Sequence, residues 1–320
     1  MAGTYAHISL VYLVCRDTTA LDSIASLTDP MKRWLMLNLK FCELGAVSPD
    51  YPSLALFDES ASAWANIMHY WKTADFIRRA SDIVRGLDFD LPDSQRIFAW
   101  LFGFTAHVVT DLAIHPIIQM KVGPYEENKR RHRLCELNQD VYVFHKLGFG
   151  EIADANYIRD CGIAACSDET DRKKLNLAVA DVWQKILGMV NLSDAGEHLD
   201  VPVPNTPPNP HQWHKDFVRI VDDVAQKGGM FPPLARRFLE DEALVYPETV
   251  DPDFIENLKT PAGIPIHYDA VFAKTQQNVK ETWGQLAAAL SPDGNSGLLT
   301  LENGNLDTGL DESSNSIYWA

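Results

Sequence analysis

The stretch that decides the fold is residues 98–118, which read FAWLFGFTAHVVTDLAIHPII. Apolar side chains fill nearly every position around three ionisable residues, His107, Asp111 and His115. A helix that is apolar on all sides is typical of a buried core element. Extended back to Pro92, at a helix-start position, this pattern predicts a buried helix over residues 92–120 that carries three titratable groups into the core.

The rest of the chain indicates further helices and few strands. Apolar residues recur at helical spacing, and the alternation expected of a sheet is missing from the first 290 residues of the sequence. The other predicted helices cover residues 31–44, 62–86, 128–147, 170–190, 213–227, 232–243 and 268–290. We therefore expect an all-α fold in which residues 1–290 form a single multi-helix domain.

Two segments differ from this helical pattern. Residues 201–210 contain five prolines in ten positions and predict an extended loop. Residues 291–320 form an acidic tail without Lys or Arg, and the sequence from Leu298 to Leu310 suggests a short β-hairpin around Asn303 and Gly304. The sequence leaves two alternatives for this tail, a frayed terminus or an ordered hairpin packed on the body or on a partner.

Charge and composition exclude several classes of protein. The chain has 28 Lys and Arg against 44 Asp and Glu, a formal net charge of −16, so a basic face for double-stranded nucleic acid is not expected. The same charge disfavours electrostatic adhesion to anionic lipid. A hydrophobic fraction of 46% is ordinary for a globular protein, and five cysteines in 320 residues argue against a disulfide framework.

Targeting signals are weak in this sequence. The N-terminal segment has no basic region, and His7 interrupts the apolar stretch that follows it, so a cleaved Sec signal peptide is not expected. We also expect no transmembrane helix, because no apolar run of sufficient length occurs. Cytoplasmic location and export by a non-Sec route both stay open.

The central helix carries the clearest functional signal. His107, Asp111 and His115 are spaced four residues apart, so each side chain is rotated by only about 40° from the previous one. All three therefore point to one side of a helix that we expect to be buried. Buried ionisable groups are costly unless a partner satisfies them, and a metal ion does so directly.

Other residues with metal-ligating side chains lie in the first 136 positions. His132 and Glu136 are again four apart, His69 lies on the preceding predicted helix, Asp50 lies between two prolines, and His7 is near the N-terminus. Taken singly, each is more often a core histidine or part of a solvated helix face. Together with the central helix they supply five imidazoles and three carboxylates, a donor set suited to zinc.

These motifs together resemble the zinc-dependent phospholipase C superfamily. Within it the chain looks closest to the branch represented by the N-terminal catalytic domain of glycosylphosphatidylinositol-specific phospholipase D. The resemblance rests on Gly3-x-x-x-His7, Gly45-Ala-Val-x-Pro-Asp-x-Pro52, Met68-His-Tyr70, Phe102-Gly-Phe-x-x-His-x-x-x-Asp-x-x-x-His115 and His132-x-x-x-Glu136. It covers residues 3–150 well and implies the helical zinc phospholipase C/nuclease fold.

The resemblance also implies a trinuclear zinc site. The first zinc would be held by Asp50, His69, His107 and Asp111; the second by Asp111, His7 and the amino terminus at Ala2 after removal of Met1; the third by His115, His132 and Glu136. The chain departs from the secreted bacterial phospholipases in two ways. Its spacing from Asp to His on the central helix is shorter, and it shows no pro-peptide.

The activity implied by the resemblance is zinc-dependent hydrolysis of a phosphodiester by a zinc-activated hydroxide, with Asp50 orienting or deprotonating the water. The expected substrate is a phospholipid, and the acidic charge favours a zwitterionic lipid, a soluble ester or an extracted monomer. Trp64, Trp71 and Trp213 could make transient membrane contact, although burial is the commoner role for each. Two alternatives remain, a single-strand-specific zinc nuclease of the same superfold and a metal-stabilised binding scaffold without catalysis.

Overall fold

The computed structural model describes residues 3–54, 58–148, 162–226 and 246–319. Its α-helices, numbered in chain order, are α1 (Thr4–Arg16), α2 (Thr18–Asp22), α3 (Asp29–Leu37), α4 (Leu39–Val47), α5 (Glu59–Tyr70), α6 (Thr73–Arg85), α7 (Pro92–Val122), α8 (Tyr125–Lys146), α9 (Leu177–Gly188), α10 (Leu192–His198), α11 (Pro210–Gln226) and α12 (Tyr268–Ala289). Short 3-10 helices cover Ser48–Leu54, Ile163–Ala165, Pro252–Phe254 and Ser296–Leu298. The predicted all-α fold is confirmed.

Two-residue strands are the other regular elements of the described chain. Strand β1 (Leu258–Lys259) pairs antiparallel with β2 (Pro265–Ile266), and β3 (Gly304–Asn305) pairs antiparallel with β4 (Leu310–Asp311). The second pair is the hairpin expected in the tail. Its turn is not at Asn303 and Gly304 as the sequence suggested, because Gly304 pairs with Asp311 and the chain reverses over the four residues between β3 and β4.

Helix α7 is the centre of the molecule. It packs against α4, α12, α6 and α8, and its middle two-thirds are fully buried. In the described residues it is the one helix long and apolar enough to cross a membrane, but its most apolar window is entirely inside the protein. The apolar sequence of residues 98–118 therefore reflects a core position, as predicted.

Two glycines allow α7 and α4 to pack backbone against backbone. A Cβ on Gly103 would overlap the carbonyl oxygen of Cys42, and a Cβ on Gly45 would overlap that of Trp100. This close crossing leaves no room for a side chain at either position. It sets the position of His107 relative to the end of α4, where the 3-10 helix carrying Asp50 begins.

Several predicted helices are interrupted. The helix predicted over residues 31–44 breaks at Asn38 into α3 and α4. The helix predicted over 62–86 breaks at Lys72, whose φ of 48° lies in the left-handed region. The next helix, α6, then receives its N-terminal cap from Asn303, whose Oδ1 accepts hydrogen bonds from the backbone N–H of Ala74 and Asp75. The helix predicted at 232–243 lies outside the described residues.

The acidic tail is ordered and packs on the body. Leu299, Leu301 and Leu306 are buried, and Thr73 of α6 donates its hydroxyl hydrogen to the carbonyl oxygen of Gly304. The described tail residues therefore lie against α6 and the core of the protein. The division of the chain at residue 290 stays a prediction, and residues 201–209 form the irregular Pro-rich loop before α11.

Candidate metal centre

Five elements bring the predicted ligands together. They are α1 with His7, the 3-10 helix Ser48–Leu54 with Asp50, α5 with His69, α7 with His107, Asp111 and His115, and α8 with His132 and Glu136. Each of these side chains belongs to a residue that is between 0 and 6% exposed. Ala2, the remaining predicted ligand, lies outside the described residues.

Asp111 lies at the centre of the cluster. Its Oδ1 is 3.2 Å from His7 Nε2 and 3.5 Å from His115 Nε2, while its Oδ2 is 3.1 Å from His107 Nε2 and 3.8 Å from His69 Nε2. The two oxygens therefore face different sets of imidazoles. A carboxylate in this position can bridge two cations, which is the role that the family resemblance implies for Asp111.

The donor atoms form three groups whose members lie within 4.8 Å of one another. These groups are His7, His107 and Asp111; Asp50, His69 and His107; and His115, His132 and Glu136. Asp50 Oδ1 is 3.1 Å from His69 Nε2 and 4.0 Å from His107 Nε2. The imidazole of His107 thus lies between the first two groups, and its ring stacks on that of His7 with centroids 4.2 Å apart.

The third group is built on one turn of α8 and the end of α7. Glu136 Oε1 lies 3.2 Å from His132 Nε2 and 3.6 Å from His115 Nε2. The other oxygen, Oε2, accepts a hydrogen bond of 2.9 Å from the buried guanidinium of Arg133. One oxygen of Glu136 is therefore held by the Arg133 guanidinium, and the other faces the imidazoles of His132 and His115.

Backbone carbonyls orient three of the imidazoles. The Nδ1–H groups of His69, His107 and His115 donate to carbonyl oxygens at 2.7–2.8 Å. The acceptors are the carbonyls of Ala65, Ala46 and Leu306 respectively. A carbonyl oxygen can only accept, so each ring carries its proton on Nδ1 and presents the lone pair of Nε2 to the cluster.

The imidazole nitrogens that face the cluster lack good hydrogen-bond partners in the described residues. The Nε2 atoms of His69, His107 and His115, and both ring nitrogens of His7 and His132, are buried without a well-formed hydrogen bond. An unsatisfied buried polar atom costs about 1–3 kcal/mol. Tetrahedral zinc with ligands at about 2.0–2.2 Å spaces its donor atoms roughly 3.3 Å apart, close to the separations found here. The residues fit a zinc centre.

The charge states also suit metal binding. Burial alone would raise the pKa of Asp111, but the imidazoles of His115, His107 and His7 hold that pKa well below its usual value. Burial lowers the pKa of His107, which keeps this imidazole neutral. Burial would also lower the pKa values of His69 and His115, but the carboxylates that face them raise both, so zinc binding would displace protons from these two imidazoles.

Sequence reasoning missed a carboxylate that supports the start of α1. Asp140 accepts hydrogen bonds from the backbone N–H of Ala6 at 2.7 Å and of Tyr5 at 3.2 Å, directly before His7. A Cβ on Gly3 would overlap the Asp140 carboxylate, which explains the glycine of the first motif. The signal was present, because Asp140 follows Glu136 by the same four residues that separate His132 from Glu136.

A second missed region is the tail. Leu306 and Asp307 lie against the cluster, with Asp307 Oδ1 3.9 Å from His115 Nδ1 and Oδ2 accepting from the Tyr70 hydroxyl at 2.7 Å. A cleft of about 470 Å³ opens beside Tyr70, with Trp71, Lys72, Asp194, His198 and the second hairpin on its walls. No spacing in the sequence links residues 306 and 307 to a helix nearly 200 positions earlier.

Two of the three tryptophans considered for membrane contact are buried. Trp64 and Trp213 are each 2% exposed, and packing is their role. Trp71 is partly exposed and lies beside the cleft, where the Lys72 ammonium sits over its ring at 4.7 Å from the centroid. Among the three, Trp71 is the side chain that a ligand could reach.

The comparisons with known proteins agree with the site. Residues 6–192 match the family model described as zinc dependent phospholipase C. The match spans more than half of the chain, and the chain belongs to this family. It is therefore a zinc-dependent hydrolase, and its clusters of histidine and carboxylate side chains could bind the metal. No curated protein and no solved structure matches the chain significantly.

Proposed function

We propose that the protein hydrolyses a phosphodiester, with a phospholipid as its substrate, using up to three zinc ions. The observation that carries this proposal is the convergence of three buried donor groups on Asp111 in a chain of the zinc-dependent phospholipase C family. A structural zinc site needs one closed set of four ligands. Several adjacent groups that share a carboxylate are instead typical of hydrolytic centres.

The proposed ligand sets are those that the family resemblance implies. The first zinc takes Asp50, His69, His107 and Asp111; the second takes Asp111, His7 and the amino terminus at Ala2; the third takes His115, His132 and Glu136. The distances from Asp111 to His7 and to His107 support a shared carboxylate between the first two sets. Zinc bound there would lower the pKa of coordinated water and polarise a phosphoryl oxygen.

Asp50 is proposed as the residue that handles the proton of the attacking water. Its side chain is 9% exposed, more than those of His69, His107 and Asp111, which are between 0 and 4% exposed. Asp50 therefore lies on the side of the cluster that solvent can reach. Its Oδ1 faces His69 and its second oxygen is left to orient a water molecule and accept its proton.

The cleft beside Tyr70 is the proposed place for part of the substrate. Its walls carry Asp194, Asp311 and Glu312 against the single ammonium group of Lys72, so they are acidic. An anionic headgroup would be repelled there, whereas a zwitterionic or neutral one would not. This local charge agrees with the formal net charge of −16 and favours zwitterionic phospholipid over anionic phospholipid.

The likeness to glycosylphosphatidylinositol-specific phospholipase D stays a prediction from the motifs within residues 3–150. It adds one substrate to test, because that enzyme acts on glycosylphosphatidylinositol by its name. A protein carrying such an anchor belongs in the substrate panel beside phosphatidylcholine and phosphatidylglycerol. Cleavage of the anchored protein alone would place the chain in that branch.

The test combines metal analysis with hydrolysis. Asp111→Asn and His107→Ala should lose zinc and hydrolysis of phosphatidylcholine together, whereas Asp93→Asn, an exposed aspartate on the same helix, should keep both. Full activity in either cluster variant would refute the site assignment. Turnover of single-stranded DNA without turnover of lipid would instead indicate a zinc nuclease, and zinc without any turnover would indicate a binding scaffold.

A further inference from the structure

The imidazole of His115 is oriented by a distant part of the chain. Its Nδ1–H donates to the carbonyl oxygen of Leu306 at 2.7 Å, across 191 positions in sequence. His69 takes its carbonyl acceptor from its own helix, and His107 takes it from the end of α4. The tail thus supplies for His115 the carbonyl acceptor that α5 supplies for His69 and α4 for His107.

We propose that residues 303–311, which lie outside the family match at 6–192, are a working part of the metal centre. In this proposal Leu306 fixes the ring of His115 through its carbonyl, and Asp307 is a positioning residue for the same ring. The inference rests on the proposed zinc centre. Its chemical basis is that the outer hydrogen bond of a ligating histidine sets the ring's tautomer, orientation and basicity.

Leu306 joins two ligand-bearing helices through one residue. Its backbone N–H donates to the carbonyl oxygen of His69 at 3.0 Å, while its own carbonyl accepts from His115. The Leu306 side chain is fully buried. Because His69 and His115 belong to different proposed ligand sets, displacement of this residue would be felt on both sides of Asp111.

Asp307 places a carboxylate beside the same ring. Its Oδ1 is 3.9 Å from His115 Nδ1, and its Oδ2 accepts from the Tyr70 hydroxyl at 2.7 Å. Its backbone carbonyl accepts from the Gln119 side chain of α7 at 2.6 Å. The negative charge of Asp307 is therefore held facing the Nδ1–H edge of His115, where it increases the electron density available at Nε2.

Residues 303–311 pack against α7 at the position where Pro116 interrupts the hydrogen bonds of the helix. Pro116 has no N–H, so the carbonyl of Leu112 cannot receive the usual helical hydrogen bond there. Gly309 packs over this point with a φ of 67°, and a Cβ on it would lie 2.6 Å from the Leu112 oxygen and overlap the ring of Pro116. Further along, the Trp319 indole donates to the carbonyl of Ala113 at 2.6 Å.

Two variants with matched controls test the proposal. Asp307→Asn removes the charge that faces His115 and keeps an oxygen for Tyr70. Glu302→Gln removes an exposed charge just before the same segment and serves as its control. Gly309→Ala pushes the segment away from Pro116; Gly263→Ala places the same side chain at a glycine with φ 79° and no neighbour within 4 Å. The first control matches the charge that Asp307→Asn removes. The second matches the backbone strain that alanine introduces at a glycine with positive φ.

The readout is zinc binding to the purified full-length protein. Zinc per chain is measured by mass spectrometry after dialysis, and the affinity of the weakest ion by chelator competition. Asp307→Asn and Gly309→Ala should bind one ion about 10–100-fold more weakly than wild type, while both controls keep the wild-type affinity. Circular dichroism verifies that each variant is folded, and the Asp307→Asn result decides if Gly309→Ala does not fold.

Wild-type zinc affinity in folded Asp307→Asn and Gly309→Ala would overturn the proposal, and so would an equal loss in the controls. Wild-type protein that binds no zinc would refute the zinc centre and this inference together. Wild-type protein that binds three zinc ions but hydrolyses no phosphodiester would refute the proposed function alone. The zinc affinities of the variants would then still decide the role of the tail.

Discussion

Asp111 shows how single residues build this site. The carboxylate is surrounded by imidazoles from α1, α5 and α7, and each of its oxygens faces a different set. Four-residue spacing on one helix supplies two of these imidazoles without any tertiary information. The others arrive only when α1 and α5 pack against α7, so the full donor set is a property of the fold.

The proposed third zinc can be separated from the others by one substitution. In Glu136→Gln the side chain keeps its shape, but the charge shared between Arg133, His132 and His115 is lost. We expect one zinc ion fewer per chain. Metal analysis and chelator competition measure this loss.

The control for this substitution is Glu127→Gln, which removes an exposed carboxylate from the same helix. This variant should keep the zinc content of the wild type. Loss of every zinc ion from Glu136→Gln would show that the three groups bind metal as one unit and would contradict an independent third site. Unchanged zinc content in Glu136→Gln would exclude the carboxylate as a ligand.

His214 predicts a pH dependence of stability that is separate from zinc. The residue is buried and hydrogen-bonded to the hydroxyls of Tyr51 and Ser167, and burial, with His211 and Arg172 nearby, lowers its pKa to about 3. The unfolded chain takes up this proton near pH 6.5. The contribution to stability is therefore present above pH 6.5 and is lost as the pH falls towards 3.

The loss should reach at most about 1.4 kcal/mol for each pH unit below 6.5. Urea unfolding of wild type and His214→Gln between pH 7 and 5, with chelator present throughout, measures the difference in slope. The wild type should lose stability more steeply because it alone takes up this proton on unfolding. Parallel slopes would mean that His214 is already protonated in the folded protein.

At the scale of elements, the crossing of α4 and α7 sets the position of His107. Gly103 and Gly45 bring the two backbones into contact, and the carbonyl of Ala46 then reaches His107 Nδ1 at 2.8 Å. The sequence showed both glycines, but it could not show that they face each other. Their role depends on the relative position of two helices, which no local pattern encodes.

Gly103→Ala should therefore damage both stability and the site. The added methyl group overlaps the Cys42 carbonyl, so the helices must separate, at a cost of about 1–3 kcal/mol or more. Chemical denaturation measures the cost, and zinc affinity should fall because His107 moves away from Ala46. Gly188→Ala, at the end of α9 with open space around it, is the control and should change neither.

The elements also show where sequence reasoning ends. The long apolar pattern placed α7 correctly, because a helix that is apolar on all sides can be recognised as buried from its own residues. The break at Lys72 was missed, since the residues from 62 to 85 contain no Pro or Gly. The cap that starts α6 comes from Asn303, so the break depends on a contact across about 230 positions.

At the scale of the whole molecule, the centre joins the two ends of the chain. His7 comes from the first helix, and Leu306 comes from the last hairpin, and both meet α7 within a few residues of Asp111. The sequence indicated the candidate ligands on α7 and α8 because ionisable residues at helical spacing are visible in it, and the whole ligand set stays a prediction. It did not predict the tail, whose contribution to the centre includes backbone atoms that any residue could supply.

Because the proposed ligands come from distant parts of the chain, zinc should stabilise the whole fold. A ligand that binds only the folded state adds about 2.7 kcal/mol per site when its free concentration is 100 times Kd. We expect chelation to lower Tm and readdition of zinc, but not of magnesium, to restore it, because magnesium prefers oxygen donors in an octahedral arrangement. Differential scanning calorimetry of chelated and reloaded protein measures the change.

Asp111→Asn provides the matched comparison for this experiment. The variant loses the carboxylate that faces both His7 and His107, so zinc should raise its Tm by much less than it raises that of the wild type. The controls Asp93→Asn and Glu127→Gln should respond to zinc like the wild type. An identical Tm for chelated and zinc-loaded wild type would mean that the folded protein does not bind zinc through these residues. The clustered imidazoles would then be a buried polar network that the fold tolerates without metal.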